Sequence, residues 1–270
     1  MITGIDFSGA ASPGSKIWLC SLMPKKPKEP FQTSDWVVSQ LTALKTLMGK
    51  TDKKQAYSFL VNQLAHSSAR YVGIDASLSL PAPLMQPYQS WHAWLKAFPQ
   101  EFSSPESFQK FCKGKSHGKE LKRQTDILAK TPFSPYNLRH YKQTYYAVSA
   151  VLHPLVNEHQ WQVYQLCEGN KSVIAEVCPA SFLKHQNNYK ESPYKGPLPA
   201  HKETREIILK RLLKRHPNIH LTPQQTACIL SDCKGDALDA LICTVIVLKH
   251  LPVLQSVKHL DPKYEGEVLF

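Results

Sequence analysis

The chain has 270 residues, and its 33 Lys and Arg against 21 Asp and Glu give a formal charge of +12, which favours a polyanionic partner, nucleic acid first, over a mere solubility trait. Its seven cysteines include no Cys-x-x-Cys pair, which argues against a disulfide framework or a zinc site and indicates a reduced compartment. The sequence begins without the pattern of a signal peptide, and its longest apolar run, residues 240–248, is about half of what a bilayer demands, so we expect a soluble, cytoplasmic protein with no membrane partner.

The first half of the chain reads as strands around one helix. Apolar density and turn residues predict a strand that opens into a tight turn over residues 2–10, and further strands over residues 16–23, 36–38 and 71–76. Helical spacing predicts a helix over residues 52–66. The third strand has a second interpretation, because residues 37–48 also fit helical spacing. Asp52 lies near the start of the predicted helix, where a negative charge is favoured. This order predicts a mixed α/β sheet with crossover helices.

Residues 78–135 differ in composition from the segments before them. They are predicted to form an insertion after the fourth strand, within a single domain of residues 1–270. The segment is rich in proline, with short predicted helices at residues 106–111 and 121–128, a tryptophan pair (Trp91 and Trp94) and a basic stretch at residues 113–123. Basic and aromatic residues of this kind can grip a nucleic-acid backbone and stack bases. A solvated charged loop beside ordinary core aromatics fits the composition equally well.

The second half alternates helices and strands. Helices are predicted over residues 140–156, 202–216 and 235–249, and strands over residues 162–166 and 173–177. In the second of these helices the apolar residues, including Ile207 and Ile208, are predicted to pack inward, while the basic residues, including Arg205, face largely outward. Residues 265–270 are strand-like but too few for an assignment.

Five acidic residues lie where predicted elements end or begin. Asp6, Asp75 and Glu176 come at or next to the ends of apolar strands, and Gly-Ile-Asp occurs in both the first and the fourth strand. Asp236 and Asp239 share one face of the last predicted helix. Helix capping or the helix dipole explains one acid at that position. It does not explain two.

If the first and fourth strands are parallel neighbours, their terminal carboxylates meet at one edge of the sheet. Crowded carboxylates raise one another's pKa unless a cation relieves them, and Mg²⁺ and Mn²⁺ prefer such oxygen ligands. Two such ions about 3.5–4 Å apart activate water and stabilise a leaving oxygen in phosphodiester cleavage. The sequence therefore predicts a two-metal phosphodiester hydrolase whose catalytic residues are these five acids.

Four segments resemble a known group of proteins. ITGIDFSGA (2–10), YVGIDASLSLP (71–81) and GDALDALICTVIVL (235–248) look like the three acidic motifs of the RNase H-like superfamily, and the last is especially similar to the final helix of its Holliday-junction resolvase branch. With AEVCPASF (175–182), nearly the full chain resembles the family named domain of unknown function 429, described as predicted RNase H-like nucleases. One departure is Asp75-Ala76-Ser77, where the family often has Asp-Ala-Pro, and we expect it to alter the local turn more than the ligand.

The resemblance implies a fold and a set of metal ligands. The fold is a five-stranded mixed sheet with the first strand central and helices on both faces. The implied ligands are Asp6, Asp75 and Asp239, with Asp236 as a fourth. Glu176 matches a family Glu-x-x-Pro motif and is a weaker ligand candidate.

The resemblance also points to substrate-binding residues. A basic–acidic pair of the family matches Arg123 and Asp126, and a Lys and an Arg that follow the Glu motif match Lys202 and Arg205. These side chains are expected either to contact a substrate phosphate or to form structural ion pairs.

A metal-dependent nuclease is thus the expected function, with Mg²⁺ or Mn²⁺ as cofactor and DNA or RNA as partner. A catalytically silent nucleic-acid-binding protein is an alternative, since it would keep the fold and the basic surface. A phosphotransferase of the sugar-kinase and actin-like kind would use residues 6–9 as a phosphate-cradling turn. Such proteins usually need a duplicated domain and a second glycine-rich motif, and the sequence contains neither.

Overall fold

The computed structural model describes residues 1–26, 34–49, 53–186, 193–256 and 265–270. Within these residues the chain is a mixed α/β structure, in which one sheet carries helices on both faces. Asp52, predicted near a helix start, lies outside the described residues.

The described residues form an eight-stranded sheet with the first strand at its centre. The strands are β1 (Ile2–Asp6), β2 (Trp18–Pro24), β3 (Trp36–Ala43), β4 (Tyr71–Asp75), β5 (Gln162–Val163), β6 (Val173–Val177), β7 (Ile219–His220) and β8 (Val268–Leu269). Their order is β5-β6-β4-β1-β2-β3-β7, with β8 paired to β6. β2 is antiparallel to β1 and β3, whereas β1, β4 and β6 are parallel. The expected number of five strands is corrected to eight, because three two-residue strands extend the sheet.

Helices connect and flank these strands. They are α1 (Leu44–Met48), α2 (Lys53–His66), α3 (Ala82–Met85), α4 (Trp91–Glu101), α5 (Pro105–Lys115), α6 (Gln124–Ala129), α7 (Tyr141–Tyr146), α8 (His153–Asn157), α9 (Pro179–His185), α10 (Pro199–Arg215), α11 (Pro223–Ser231), α12 (Asp236–Lys249) and α13 (Leu251–Ser256). A π-helical turn (Ala147–Leu152) joins α7 to α8. None of the described helices has the length and apolar character needed to span a bilayer.

α12 packs across the centre of the sheet because two glycines leave room for it. Gly4 of β1 and Gly73 of β4 are register partners. A Cβ atom at Gly4 would collide with the backbone of Thr244, and one at Gly73 would lie 2.5 Å from Cγ2 of Val247. Twelve of the 14 residues of α12 are buried, which requires this close approach of helix to sheet. The glycine of each Gly-Ile-Asp segment therefore seats the final helix.

The other face of the sheet is covered by α2, α4, α5 and the interrupted helix of residues 141–157. The predicted insertion contributes two of these helices, since residues 78–135 contain α3 to α6. The sequence predicted helices at α5 and α6 but not at α3 and α4. Trp91 and Trp94 of α4 are 3% and 0% exposed, so the tryptophan pair is core and does not stack bases.

The remaining predicted elements are present with shifted ends. The third strand continues to Ala43 and is followed by α1, so each of its two interpretations holds for part of the segment. The strand predicted over residues 162–166 contains only β5. In α10 the inward positions are corrected, because Leu209 is buried and Ile207 is exposed. Arg205, predicted to face outward, is buried as well.

Candidate active site

The two Gly-Ile-Asp segments lie side by side at the carboxyl ends of parallel strands. β1 and β4 pair residue for residue, with Gly4 opposite Gly73 and Asp6 opposite Asp75. Side chains alternate along a strand, and both glycines face α12, so Asp6 and Asp75 are directed to the side of the sheet that α12 covers. The prediction that these two acids meet at one edge of the sheet is confirmed.

The first turn of α12 adds two more carboxylates at this edge. Asp236 and Asp239 are 9% and 2% exposed. Neither is needed as a cap, because Asp232 accepts the backbone N–H of Ala237 at 2.9 Å and that of Lys234 at 3.1 Å. Since Asp232 caps the helix, capping does not explain the two buried acids.

A loop before α10 places a tyrosine and a lysine against Asp239. Tyr194 donates its hydroxyl to Oδ1 of Asp239 at 2.7 Å, and Nζ of Lys195 lies 2.5 Å from Oδ2. Half of the Lys195 side chain is exposed, while Asp239 is enclosed. The half-exposed Lys195 therefore forms its ion pair with the buried carboxylate of Asp239 from the solvent side.

Arg205 holds this loop in place. Its Nη1 donates to the carbonyl oxygens of Tyr194 at 2.6 Å and Gly196 at 3.3 Å. Its Nε and Nη2 donate to the carbonyl oxygen of Leu230 at 3.2 and 3.0 Å. This corrects the substrate-binding prediction for Arg205: at 3% exposure it positions the loop. Lys202 is exposed on the same helix and remains accessible to a ligand.

Burial and mutual repulsion raise the pKa values of three carboxyl groups, with burial the larger cause in each. Burial and then Asp239 raise the pKa of Asp6 well above its usual range and that of Asp75 to about 7. Burial and then Asp232 raise the pKa of Asp236 to about 6. Burial lowers the pKa of Lys195, but Asp239 and Asp6 outweigh it and raise that pKa overall, so the ammonium stays charged.

The donor chemistry of this edge fits a hard divalent cation. The four aspartates offer oxygen ligands, and Oδ2 of Asp236 is buried with no hydrogen-bond donor among the described residues. A buried carboxylate oxygen without a donor is costly, and a cation satisfies it. As they are placed, no three His, Cys, Asp or Glu side chains of the described residues form a group that could hold a metal. Asp239 is occupied by Lys195. Mg²⁺ or Mn²⁺ therefore requires the carboxylates to turn toward one another.

Glu176 is not part of this group. It alternates with Ala175 and Val177 along β6, so it is directed with Ile174 to the opposite face of the sheet. Its carboxylate pairs with Arg123, with Nη2–Oε1 at 2.5 Å and Nη1–Oε2 at 2.7 Å. The prediction that Glu176 is catalytic is corrected by this pairing.

Arg123 is a structural residue. It is 0% exposed, and besides Glu176 it binds Asp126, with Nη2–Oδ1 at 2.8 Å and Nε–Oδ2 at 2.9 Å. Of the two interpretations considered for Arg123, substrate contact is wrong and the structural ion pair is confirmed. The network fastens the start of α6 to β6, and removing one partner would leave a buried charge unpaired.

Three residues at the acidic edge had no sequence signal. Gln143 of α7 donates Nε2 to the carbonyl oxygens of Phe7 at 2.8 Å and Asp75 at 2.5 Å, which ties the ends of β1 and β4 together. Tyr194 and Lys195 lie in a loop, where no periodicity distinguishes a functional side chain from a solvated one.

A hollow adjoins Gln143. It encloses about 410 Å³ between the turn of residues 8–10 and residues 138–143. Arg139 and Lys142 line it and are exposed, so the edge of the sheet that carries the acids has basic side chains beside it.

Comparisons with protein-family models, with curated proteins and with solved structures gave no match for this chain.

Proposed function

We propose that this protein is a metal-dependent nuclease that hydrolyses phosphodiester bonds of DNA or RNA. Mg²⁺ or Mn²⁺ would be held by Asp6, Asp75, Asp236 and Asp239. The observation that carries the proposal is the supply of four acids to one edge of the sheet, two from in-register strand ends and two from the first turn of the buried helix that packs over those strands. Burial first, and then the charges of Asp239, Asp75 and Asp236, raise the pKa of Asp6.

The strand order supports an RNase H-like fold as part of this proposal. Among the described residues, the strands of five residues or more are ordered β3-β2-β1-β4-β6, a mixed sheet with the first strand central. The resemblance of this chain to the domain of unknown function 429 family implies that arrangement. We include membership of this family in the proposal.

The residues of the chain have distinct parts in the proposed reaction. A divalent ion, when bound, would supply an activated water and neutralise charge on the phosphate. The four aspartates would hold that ion, and Tyr194 orients Asp239 through its hydroxyl. Gln143 fixes the distance between the strand ends that carry Asp6 and Asp75.

The charge of the molecule supports a nucleic-acid substrate. The formal charge of +12 attracts a polyanion, although the candidate site itself is acidic. Arg139 and Lys142 at the hollow and Lys202 on α10 are exposed and accessible to a phosphate backbone.

The test is cleavage of a panel of single-stranded, double-stranded and branched DNA and RNA with Mg²⁺ or Mn²⁺. The variants are Asp75→Asn and Asp239→Asn, with Glu203→Gln as the control because it removes an exposed carboxylate on α10. We expect metal-dependent cleavage by the wild type and the control. The two site variants should lose at least ~100-fold, the upper range for disturbing even an outer partner of a metal site.

A different result would favour a different function. Tight, salt-sensitive binding of nucleic acid with no cleavage under either metal would sink the nuclease proposal. The protein would then be a catalytically silent nucleic-acid-binding protein, which fits the ammonium already paired with Asp239.

A further inference from the structure

A groove lined by aromatic side chains lies next to the hollow. It encloses about 520 Å³ between α2 and the interrupted helix of residues 141–157, and Tyr57, Tyr145 and Tyr146 line it. The volumes of the groove and of the hollow both fall within the roughly 300–1,000 Å³ of clefts that bind small molecules. The groove is therefore large enough for a flat aromatic group such as a nucleobase.

Tyr146 is the accessible member of a stack of aromatic rings. Its ring centre lies 5.0 Å from that of Tyr57, with 19° between the ring planes, and the ring centre of Tyr57 lies 5.6 Å from that of Phe7. Phe7 and Tyr57 are each 3% exposed, whereas Tyr146 is half-buried. A ligand ring that enters the groove can therefore reach Tyr146, and aromatic side chains are the surfaces on which bases stack.

The groove and the hollow are consecutive along α7. Lys142 lines the hollow and lies four residues before Tyr146, so the two side chains are neighbours on one face of the helix. The hydroxyl of Tyr57 provides a second link, because it donates to the carbonyl oxygen of Ser8 at 3.0 Å, and Ser8 also lines the hollow. Basic side chains and tyrosine rings thus follow one another along a single surface.

The charges of the two cavities differ. Arg139 and Lys142 are exposed at the hollow and suit phosphate groups. None of the described residues that line the groove is Lys or Arg, and the exposed Glu158 lies where the interrupted helix ends. A phosphate is disfavoured beside that carboxylate, so the groove suits the uncharged base of a nucleotide.

The groove also lies where the helix departs from α geometry. Ser149 and Ala150 belong to the π-helical turn and line the groove with small side chains. Such turns are rare and occur frequently at functional sites. The turn therefore adds support, beside the tyrosine rings, for a binding role of the groove.

We propose that the groove and the hollow together bind single-stranded nucleic acid, with a base against Tyr146 and phosphates at Arg139 and Lys142. A duplex keeps its bases stacked inside the helix and offers this surface phosphates alone, whereas a single strand also offers the faces of its bases. The inference rests on the proposed nuclease function for the class of ligand and deepens it, since it names the form of nucleic acid that the protein binds.

The test is the affinity of the full chain for labelled oligo(dT), oligo(U) and a DNA duplex with the same number of phosphates. Fluorescence anisotropy with a chelator present measures binding without cleavage. We expect the wild type to bind at least one of the single strands more tightly than the duplex. Tyr146→Leu should weaken that binding about 5- to 100-fold, the range for loss of stacking on one ring, and should leave the affinity for the duplex unchanged.

Four further variants show whether the effect comes from the groove. Tyr146→Phe keeps the ring and should bind as the wild type does, and so should Tyr88→Leu, because Tyr88 is likewise half-buried but lines neither cavity. Ser58→Glu adds a negative charge at the exposed wall of the groove and should weaken single-strand binding without a change in the core. Gln63→Glu adds the same charge on α2 outside the groove and should not. Thermal unfolding verifies that each variant is folded.

The outcomes separate this inference from the nuclease proposal. A wild type that prefers the duplex, or a Tyr146→Leu variant that binds single strands as the wild type does, would overturn the groove as a single-strand site while metal-dependent cleavage still stood. The expected binding pattern with no cleavage under Mg²⁺ or Mn²⁺ would overturn the nuclease and leave the groove. No binding and no cleavage of any nucleic acid would overturn both.

Discussion

Asp75 carries an ionisable carboxyl group that the folded chain buries beside other carboxyl groups. It lies opposite Asp6 on a neighbouring strand, and burial and then Asp239 raise its pKa from 3.8 to about 7. Between these two pKa values the folded protein retains a proton on Asp75 that the unfolded chain has released. Because the folded state binds more protons in that window, stability falls as the pH rises through it. A bound cation would reverse this penalty.

Replacing Asp75 by Asn should remove this part of the pH dependence. The free energy of unfolding is measured with urea in the presence of a chelator. The advantage of Asp75→Asn over the wild type is expected to grow from about pH 4 to about pH 7 and to stay constant above, as the linkage relation requires. Glu203→Gln, on the exposed side of α10, should keep the wild-type dependence. An Asp75→Asn protein whose stability runs parallel to that of the wild type would refute the raised pKa.

At the scale of elements, the sequence predicted the parts whose signal is local. The apolar residues all around residues 237–247 predict a buried helix, and the two Gly-Ile-Asp segments predict strands that end in an acid. The opposite orientation of Glu176 depends on the register between β4 and β6, which no local pattern contains. Arg205 was predicted to face outward from the helical pattern, and for Arg123 both phosphate contact and a structural ion pair were open. Only the tertiary partners of these arginines make their burial possible. Lys195 is recognisable only when the folded loop meets α12.

The close packing of α12 on the sheet depends on the absence of a side chain at Gly4. Gly4→Ala should lower the free energy of unfolding by about 1–3 kcal/mol, because the new methyl group collides with the backbone of Thr244, which cannot rotate away. Gly114→Ala is the matched control, since α5 is helical there and nothing lies within 4 Å of the added atom. That control should be stabilised by about 0.5–1 kcal/mol from helix propensity. Urea unfolding of both variants measures the contrast, and equal effects would contradict the close packing of α12.

Across the whole molecule, the acidic side chains of the candidate site are buried, whereas most basic side chains are exposed. The four converging acids are largely enclosed at one edge of the sheet, while the excess of basic residues lies mostly at the surface. Arg139 and Lys142 line the hollow next to Gln143, and Gln143 binds the two strand ends that carry Asp6 and Asp75. A phosphate backbone drawn to this hollow would lie beside the carboxyl ends of these two strands. Lys142 is in part neutralised by Glu106, at 3.3 Å.

The hollow should account for more of the nucleic-acid affinity than its share of the charge. The double variant Arg139→Gln/Lys142→Gln is compared with Lys210→Gln/Lys214→Gln, which removes the same charge from α10, a helix that packs against the other face of the sheet. Fluorescence anisotropy of labelled DNA and RNA is measured across a series of salt concentrations. If each side chain of the hollow contacts a phosphate, the slope of log K against log salt should become shallower by about 0.9 per lost contact on duplex DNA. The α10 pair should leave the slope nearly unchanged. Equal losses in the two double variants would show that net charge alone, and not this hollow, brings the polyanion to the protein.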